Sequence, residues 1–188
     1  MRNLIFICIL FFLTGCLDEQ GSQKSHPVFD KQRFVQSVKE SNLTMKQIVR
    51  HLYPVEGLED GVPKSPIDAE FVERYGDSPF FFSWNKAKIE PFENFVLVLF
   101  HDPNDPPSIA ITFDKGAKPI EALVLEDRVG NNEFSIERSF ERENDGFLIQ
   151  ERHYETEWEV YPTKGKRVLS QKLQWHVVLR PDGTFGLK

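Results

Sequence analysis

The stretch Phe95-Val96-Leu97-Val98-Leu99-Phe100 is apolar at every position. The residues at 102–107 are rich in proline, aspartate and asparagine, which favour turns, so the strand is expected to end before them. A strand of this length without a polar face is typical of a central strand that is buried on both sides. We therefore expect a sheet that has a core on one side and a covering layer on the other.

Strands are predicted on both sides of this run, because short stretches from Phe80 onward alternate apolar and polar residues between turn residues. Alternation also assigns faces: on the last long strand, Leu169 is expected to share the apolar face of Leu173 and Val177. We predict an antiparallel meander of about seven strands at 80–84, 95–101, 108–113, 120–126, 133–142, 147–161 and 167–180, followed by a short tail at 184–187.

Helices are predicted before the strands. Asp30 can cap a helix that carries Phe34, Val35 and Val38, and Thr44 with Gln47 has the form of a capping box. A third helix is predicted from Ser65 and Pro66 to Gly76. The expected fold class is α+β, with short N-terminal helices packed on the sheet.

Length and charge restrict the class of protein. The chain has 188 residues, a size typical of one domain, and a net charge of -6 with no basic stripe, which argues against binding to nucleic acid. Acidic residues dominate 126–159 and basic residues dominate 163–188. These segments are interpreted either as solvated faces of neighbouring strands or as an acidic surface for a cationic partner.

The N-terminus has the layout of an export signal. Arg2 precedes an apolar run at 4–13, and Leu13-Thr14-Gly15-Cys16 follows directly. As a helix, the run would extend about 15 Å, whereas the hydrocarbon core of a bilayer is about 30 Å thick. The run is therefore too short to span a membrane.

Leu13-Thr14-Gly15-Cys16 resembles the lipobox of bacterial lipoproteins. The resemblance implies cleavage between Gly15 and Cys16 and lipidation of Cys16 by acyl chains such as palmitate, which hold the protein at a membrane surface. Leu17 follows the cysteine, and the absence of aspartate there implies the periplasmic face of the outer membrane if the host is Gram-negative. The alternative is an ordinary secretory signal with an accidental cysteine.

These features divide the chain into a removed signal at 1–15, a lipidated cysteine with a polar tether at 16–28, and one globular domain at 29–188. The globular domain contains no cysteine, since Cys8 lies in the signal, and it cannot form an internal disulfide. The body also resembles a group of bacterial lipoproteins without assigned activity, through Phe113-Asp114-Lys115-Gly116 and Asp182-Gly183-Thr184-Phe185.

Candidate chemistry is sparse. No two histidines have the spacing of metal ligands, no catalytic or phosphate-binding motif is present, and we expect no cofactor and no metal. His101-Asp102 could orient a base or simply form a turn. His153 and His176 could meet Glu151 or Glu155 on one polar face, although the carboxylates of 126–159 are otherwise expected to point to solvent.

These observations favour a lipid-anchored protein of the cell envelope that binds a protein partner and is not an enzyme. One alternative is a hydrolase acting on cell-wall or surface glycans through an acidic pair and His101, His153 or His176. Another alternative is a carrier of a small ligand, which would need a roomy apolar cavity between the helices and the sheet.

Overall fold

The computed structural model describes residues 29–44, 47, 65–76, 83–102, 107–159 and 164–188. The signal, the lipobox, the tether, most of the helix predicted after Thr44 and residues 80–82 of the strand expected at 80–84 lie outside these residues. The described elements are α1 (Lys31–Glu40), α2 (Pro66–Tyr75), a 3₁₀ turn (Trp84–Lys86), β1 (Lys88–Pro91), β2 (Phe95–Phe100), β3 (Ser108–Asp114), β4 (Pro119–Gly130), β5 (Phe134–Arg142), β6 (Gly146–Glu159), β7 (Lys164–Leu179) and β8 (Phe185–Leu187).

Both helices begin where the sequence predicts. The side chain of Asp30 accepts a hydrogen bond from the backbone N–H of Arg33 at 3.0 Å. At the start of α2, Ser65 accepts from the N–H of Ile67, and Asp68 accepts from the N–H of Ser65, which completes a capping box. Local hydrogen bonding of the capping residues therefore marks both helix starts.

The eight strands form an antiparallel meander in the order β1 to β8, so each strand pairs with the next one along the chain. β4 changes neighbours along its length: Pro119–Glu126 pairs with β3, and Asp127–Gly130 pairs with β5. The sheet therefore turns at β4, and one face of its first half packs against β6, β7 and β8.

Two apolar layers lie on opposite faces of β2 and β3. Val98, Ile111 and Phe113 pack with Phe34 of α1 and Phe71 of α2. The second layer lies between the two halves of the bent sheet and includes Leu97, Ala110, Leu123, Phe147, Ile149 and Val177. β2 is thus buried on both sides, as its uniformly apolar sequence predicts.

The α+β class and the antiparallel sheet are confirmed, but several details differ. β1 was not predicted, and Trp84 lies in the 3₁₀ turn instead of a strand. Alternation along β5 predicts that Phe134 shares the core-facing side of Ile136, but Phe134 is 46% exposed at the first position of the strand.

The face predicted for Leu169 is wrong. The register shifts so that His153 pairs with Gln171 and the next residue, Tyr154, pairs with Leu169. This bulge, centred on Ser170, inserts one extra residue into β7. Leu169 consequently lies on the face opposite to Leu173 and Val177.

Candidate functional site

A buried guanidinium connects α2 to the sheet. Arg138 of β5 is 2% exposed, and its two terminal nitrogens donate to the carboxylate oxygens of Asp68 at 2.7 and 2.9 Å. Arg138 also donates to Glu151 of β6 at 2.9 Å, to the carbonyl of Val124 at 2.9 Å and to the hydroxyl of Ser65 at 2.6 Å. We call Ser65, Asp68, Arg138, Glu151 and His153 the Arg138 network.

Charge balance explains why this arginine is stable in the interior. Burial by itself would lower the pKa of Arg138, but hydrogen bonds and charge interactions with Asp68 and Glu151 raise it above its ordinary value. A fully hydrogen-bonded, planar guanidinium between carboxylates is the geometry in which a buried charge is best compensated. The network therefore holds α2 and the sheet in one arrangement.

Glu151 contradicts the expectation that the carboxylates of 126–159 point to solvent, since it is 0% exposed. Its second oxygen lies 3.0 Å from Nε2 of His153, whose side chain is 22% exposed. Of the predicted polar cluster, the structure thus brings together Glu151 and His153. Because Glu151 already binds a guanidinium, it is poorly suited to accept a proton from a substrate.

The other two members of the predicted cluster lie elsewhere. His176 pairs with Leu148, whereas His153 pairs with Gln171, five residues before His176 on β7. Nδ1 of His176 lies 3.0 Å from Glu143. Glu155 is exposed and lies opposite Phe134. The structure therefore does not assemble His153, His176, Glu151 and Glu155 into one site.

A second cluster of polar side chains lies where β2 ends and β3 begins, beside Glu126 of β4. Nδ1 of His101 is 2.8 Å from the hydroxyl of Ser108, which also lies 2.9 Å from an oxygen of Glu126. Ser108 is 0% exposed, so its hydroxyl cannot reach a substrate as a nucleophile. Ser108 and Glu126 were missed by the sequence analysis because strand pairing, not sequence spacing, brings them to His101.

Two further kinds of site, a metal centre and a ligand cavity, have little basis in the described residues. Within the ranges given above, no three side chains of the metal-ligating types converge on one point. An open cavity of about 330 Å³ lies between α1 and the β3–β4 turn, where Phe29, Arg33 and Lys115 line it together with Asp30, Phe34, Ser37, Gly116 and Ala117. This cavity contains neither a histidine nor an enclosed apolar chamber.

The far end of the β6–β7 hairpin presents large side chains to solvent. Trp158 is 55% exposed and Leu169 is 50% exposed. Tyr154 lies directly opposite Leu169, and the guanidinium of Arg167 stacks 3.6 Å from the Tyr154 ring. Alternation along β6 puts Tyr154 and Trp158 on one face. We call Tyr154, Trp158, Arg167 and Leu169 the hairpin patch.

The hairpin patch extends past the end of β5: Tyr154 still pairs with Ser135 of β5, whereas Trp158 lies beyond the last residue of β6 that pairs with β5. Phe134, the first residue of β5, pairs with Glu155, so β6 continues past the end of β5 with β7 as its neighbour. Gly165 lies beneath Trp158, since a Cβ atom there would come within 3.3 Å of the indole ring. The aromatic ring thus covers its own hairpin on one side and faces solvent on the other.

Comparison with known proteins finds no matching family model, no match among curated proteins and no matching solved structure. Among the described residues, no helix has both the length and the apolar character needed to cross a membrane. The fold defines the class of this protein as an α+β domain with a bent antiparallel meander.

Proposed function

We propose that the protein is a lipid-anchored module of the bacterial cell envelope that binds a protein partner through the hairpin patch and is not an enzyme. The anchor in this proposal is lipid on Cys16, and the location is the periplasmic face of the outer membrane if the host is Gram-negative. The observation that carries the binding function is the exposure of Trp158 and Leu169 beside a stacked tyrosine and arginine.

The composition of the hairpin patch supports this function. Tryptophan, tyrosine and arginine are the residues that most often dominate the energy of protein interfaces. Solvent exposure of clustered large side chains is otherwise unfavourable, and such clusters mark interaction sites. Arg167 is held by Glu137 at 2.8 Å and by Ser135 at 3.0 Å, so the patch loses little side-chain entropy on binding.

The polar groups favour binding over hydrolysis. Glycan hydrolysis needs two carboxylates that flank a substrate in a cleft. Glu151 is buried against Arg138, and Glu126 lies beside a fully buried serine. Both carboxylates are therefore engaged in holding strands and helices together.

Site-specific crosslinking in the native envelope tests the proposal. A photoreactive phenylalanine analogue at Trp158 or Leu169 is expected to give the same crosslinked species. The same analogue at Phe92, which is 39% exposed near β1, serves as the matched control and is expected not to give it. An excess of the protein without the photoreactive residue should compete for the partner and abolish the crosslinked species. Identical crosslinks from all three positions, or none from the hairpin patch, would refute the proposal.

A further inference from the structure

The outer edge of β7 has no neighbour among the described residues over most of its length. β8 pairs with β7 at Val177, Val178 and Leu179, and the N–H of Lys188 donates to the carbonyl of His176. From Lys164 to Trp175, the described residues form no strand on this side. A row of open backbone donors and acceptors is a template for another strand.

The hydrogen-bond pattern identifies which residues face this edge. In an antiparallel ladder, the backbone groups of alternate residues point to the same neighbour. The carbonyl of His176 is used on the β8 side, so the backbone groups of Gln174 and Lys172 point in the same direction, past the end of β8. An added strand would therefore extend the line of β8 and bond to Gln174 and Lys172.

The charge of β7 indicates the charge of the strand that would pair with its outer edge. Lys164, Lys166, Arg167 and Lys172 lie on this strand, which contains no aspartate or glutamate. Arg167 is occupied by Glu137, but Lys172 lies opposite Arg152 of β6, and no ion pair of Lys172 with a described residue is found. An acidic residue on an added strand would relieve this contact between like charges.

A second copy of β7 fits this edge poorly, since pairing of two basic strands would place like charges opposite each other. Lysines on an edge strand oppose such self-pairing. Lys172, which faces a like charge on β6, attracts an acidic chain and orients it before the backbone bonds form, whereas Lys166 lies opposite Glu157 of β6. The edge therefore discriminates between this protein and an acidic partner.

We infer that the outer edge of β7, which no described strand covers at Lys172 and Gln174, binds an extended acidic segment of a partner protein by strand addition through the backbone of these two residues. This inference rests on the proposed binding function and specifies its partner. Two residues of the hairpin patch, Arg167 and Leu169, lie on the same strand and would contact side chains that flank the added segment.

Two blocked, fluorescent peptides test the inference on the complete chain in detergent, one of alternating glutamate and valine and one of alternating lysine and valine. The acidic peptide is expected to bind and to slow amide hydrogen exchange at Lys172 and Gln174, and the basic peptide is expected not to bind. Equal binding of the two peptides, or binding without protection of these amides, would overturn the inference.

Three variants identify the source of the binding energy. Gln174→Pro removes an N–H that faces the edge and spares the bonds to β6, so affinity for the acidic peptide should fall about tenfold, as expected for loss of one well-formed interaction. Gln174→Ala keeps the N–H and should bind as the unaltered protein does. Lys172→Glu should reverse the preference towards the basic peptide, whereas Lys118→Glu, at an exposed lysine of the β3–β4 turn, should leave it unchanged.

The outcomes separate the two proposals. Capture of one species by the crosslinker at Trp158 and Leu169, without binding of the acidic peptide, would refute strand addition and retain the binding function. Unchanged affinity in Gln174→Pro would also refute strand addition. Absence of site-specific crosslinks would refute the binding function itself.

Discussion

Arg138 illustrates how one side chain connects distant parts of this chain. It reaches Asp68, seventy positions earlier, as well as Glu151 on the neighbouring strand. All of its hydrogen-bonding partners lie within about 3 Å, which is the range of strong charge-assisted bonds. Removal of the guanidinium would leave two carboxylates buried without a counter-charge.

Arg138→Met is therefore expected to lower the free energy of unfolding by about 3 to 5 kcal/mol, the usual cost of breaking a buried ion pair from one side. Arg128→Met is the control, because Arg128 is exposed and lies 3.4 Å from Glu137. Its loss should be below about 1 kcal/mol. Urea denaturation measures both values, and equal losses would show that burial of Arg138 contributes nothing.

Glu121 predicts a dependence of stability on pH. Burial raises the pKa of Glu121 more than the hydrogen bond from the Phe185 amide and the charge of Arg180 lower it. The folded protein thus binds this proton more tightly than the unfolded chain does. The free energy of unfolding should fall as the pH rises from the ordinary pKa of glutamate through the raised folded value.

Glu121→Gln keeps an oxygen that can accept from the Phe185 N–H but carries no charge. Relative to the unaltered protein, the variant should gain stability as the pH rises through this window, and the gain should level off above it. Chemical denaturation at a series of pH values measures the difference. A difference that is constant over the whole series would contradict the assignment.

Residue types alone did not reveal the Arg138 network. Glu151 lies among many acidic residues, and its alternation pattern is the same whether it faces water or a buried guanidinium. The partner that decides between these environments, Asp68, lies on a helix whose position over the sheet cannot be inferred from local sequence. The pairing of Glu151 with His153 needed no such knowledge, because residues two apart on a strand share a face.

At the scale of elements, helix α2 depends on its cap more than α1 does. Ser65 accepts from the N–H of Ile67 and also from Arg138, whereas the Asp30 side chain bonds to the exposed start of α1. The cap of α2 is therefore part of the tertiary structure as well as of the helix.

Asp30→Ala should cost about 1 kcal/mol, a typical value for loss of an N-cap. Ser65→Ala should cost clearly more, because it also removes a hydroxyl that accepts a hydrogen bond from the buried guanidinium of Arg138. Thermal or urea denaturation provides the comparison. Losses of equal size would mean that the bond from Arg138 to Ser65 makes no net contribution.

Local sequence predicted the elements whose starts carry capping residues or whose composition is uniform. Asp30, Ser65 and Pro66 gave the helix starts, and the prediction of a central β2 is confirmed because no other placement buries both of its faces. The bulge at Ser170 was not predictable, since it depends on how β7 aligns with β6. β1 was missed because Lys88–Pro91 is short, mixed in polarity and ended by proline.

At the scale of the whole molecule, the proposed anchor yields a direct prediction. Cys16→Ser removes the thiol that would carry the lipid, so labelling with a radioactive or clickable fatty acid should be lost and the protein should leave the membrane fraction. The body contains no cysteine beyond residue 16, so its fold should be unaffected. Continued labelling of the variant would exclude the lipobox interpretation.

The pattern of charged residues in the sequence predicts only part of the charge distribution on the surface. The division into an acidic segment at 126–159 and a basic segment at 163–188 was visible in the sequence. The structure places part of the acidic charge beside the protein's own cations, including Arg74 with Asp127 and Arg167 with Glu137. Cross-strand pairing decides which charges remain for a partner, and that pairing follows from the register.

The meander order of the sheet has a consequence for folding kinetics. Since every strand pairs with the one synthesised just before it, each new hairpin closes a short loop and pays little chain entropy. Such local contacts favour rapid folding, and they allow the sheet to grow in the order in which the chain emerges from a pore or a ribosome. The long β6–β7 hairpin would be among the last parts to form, on an already ordered template.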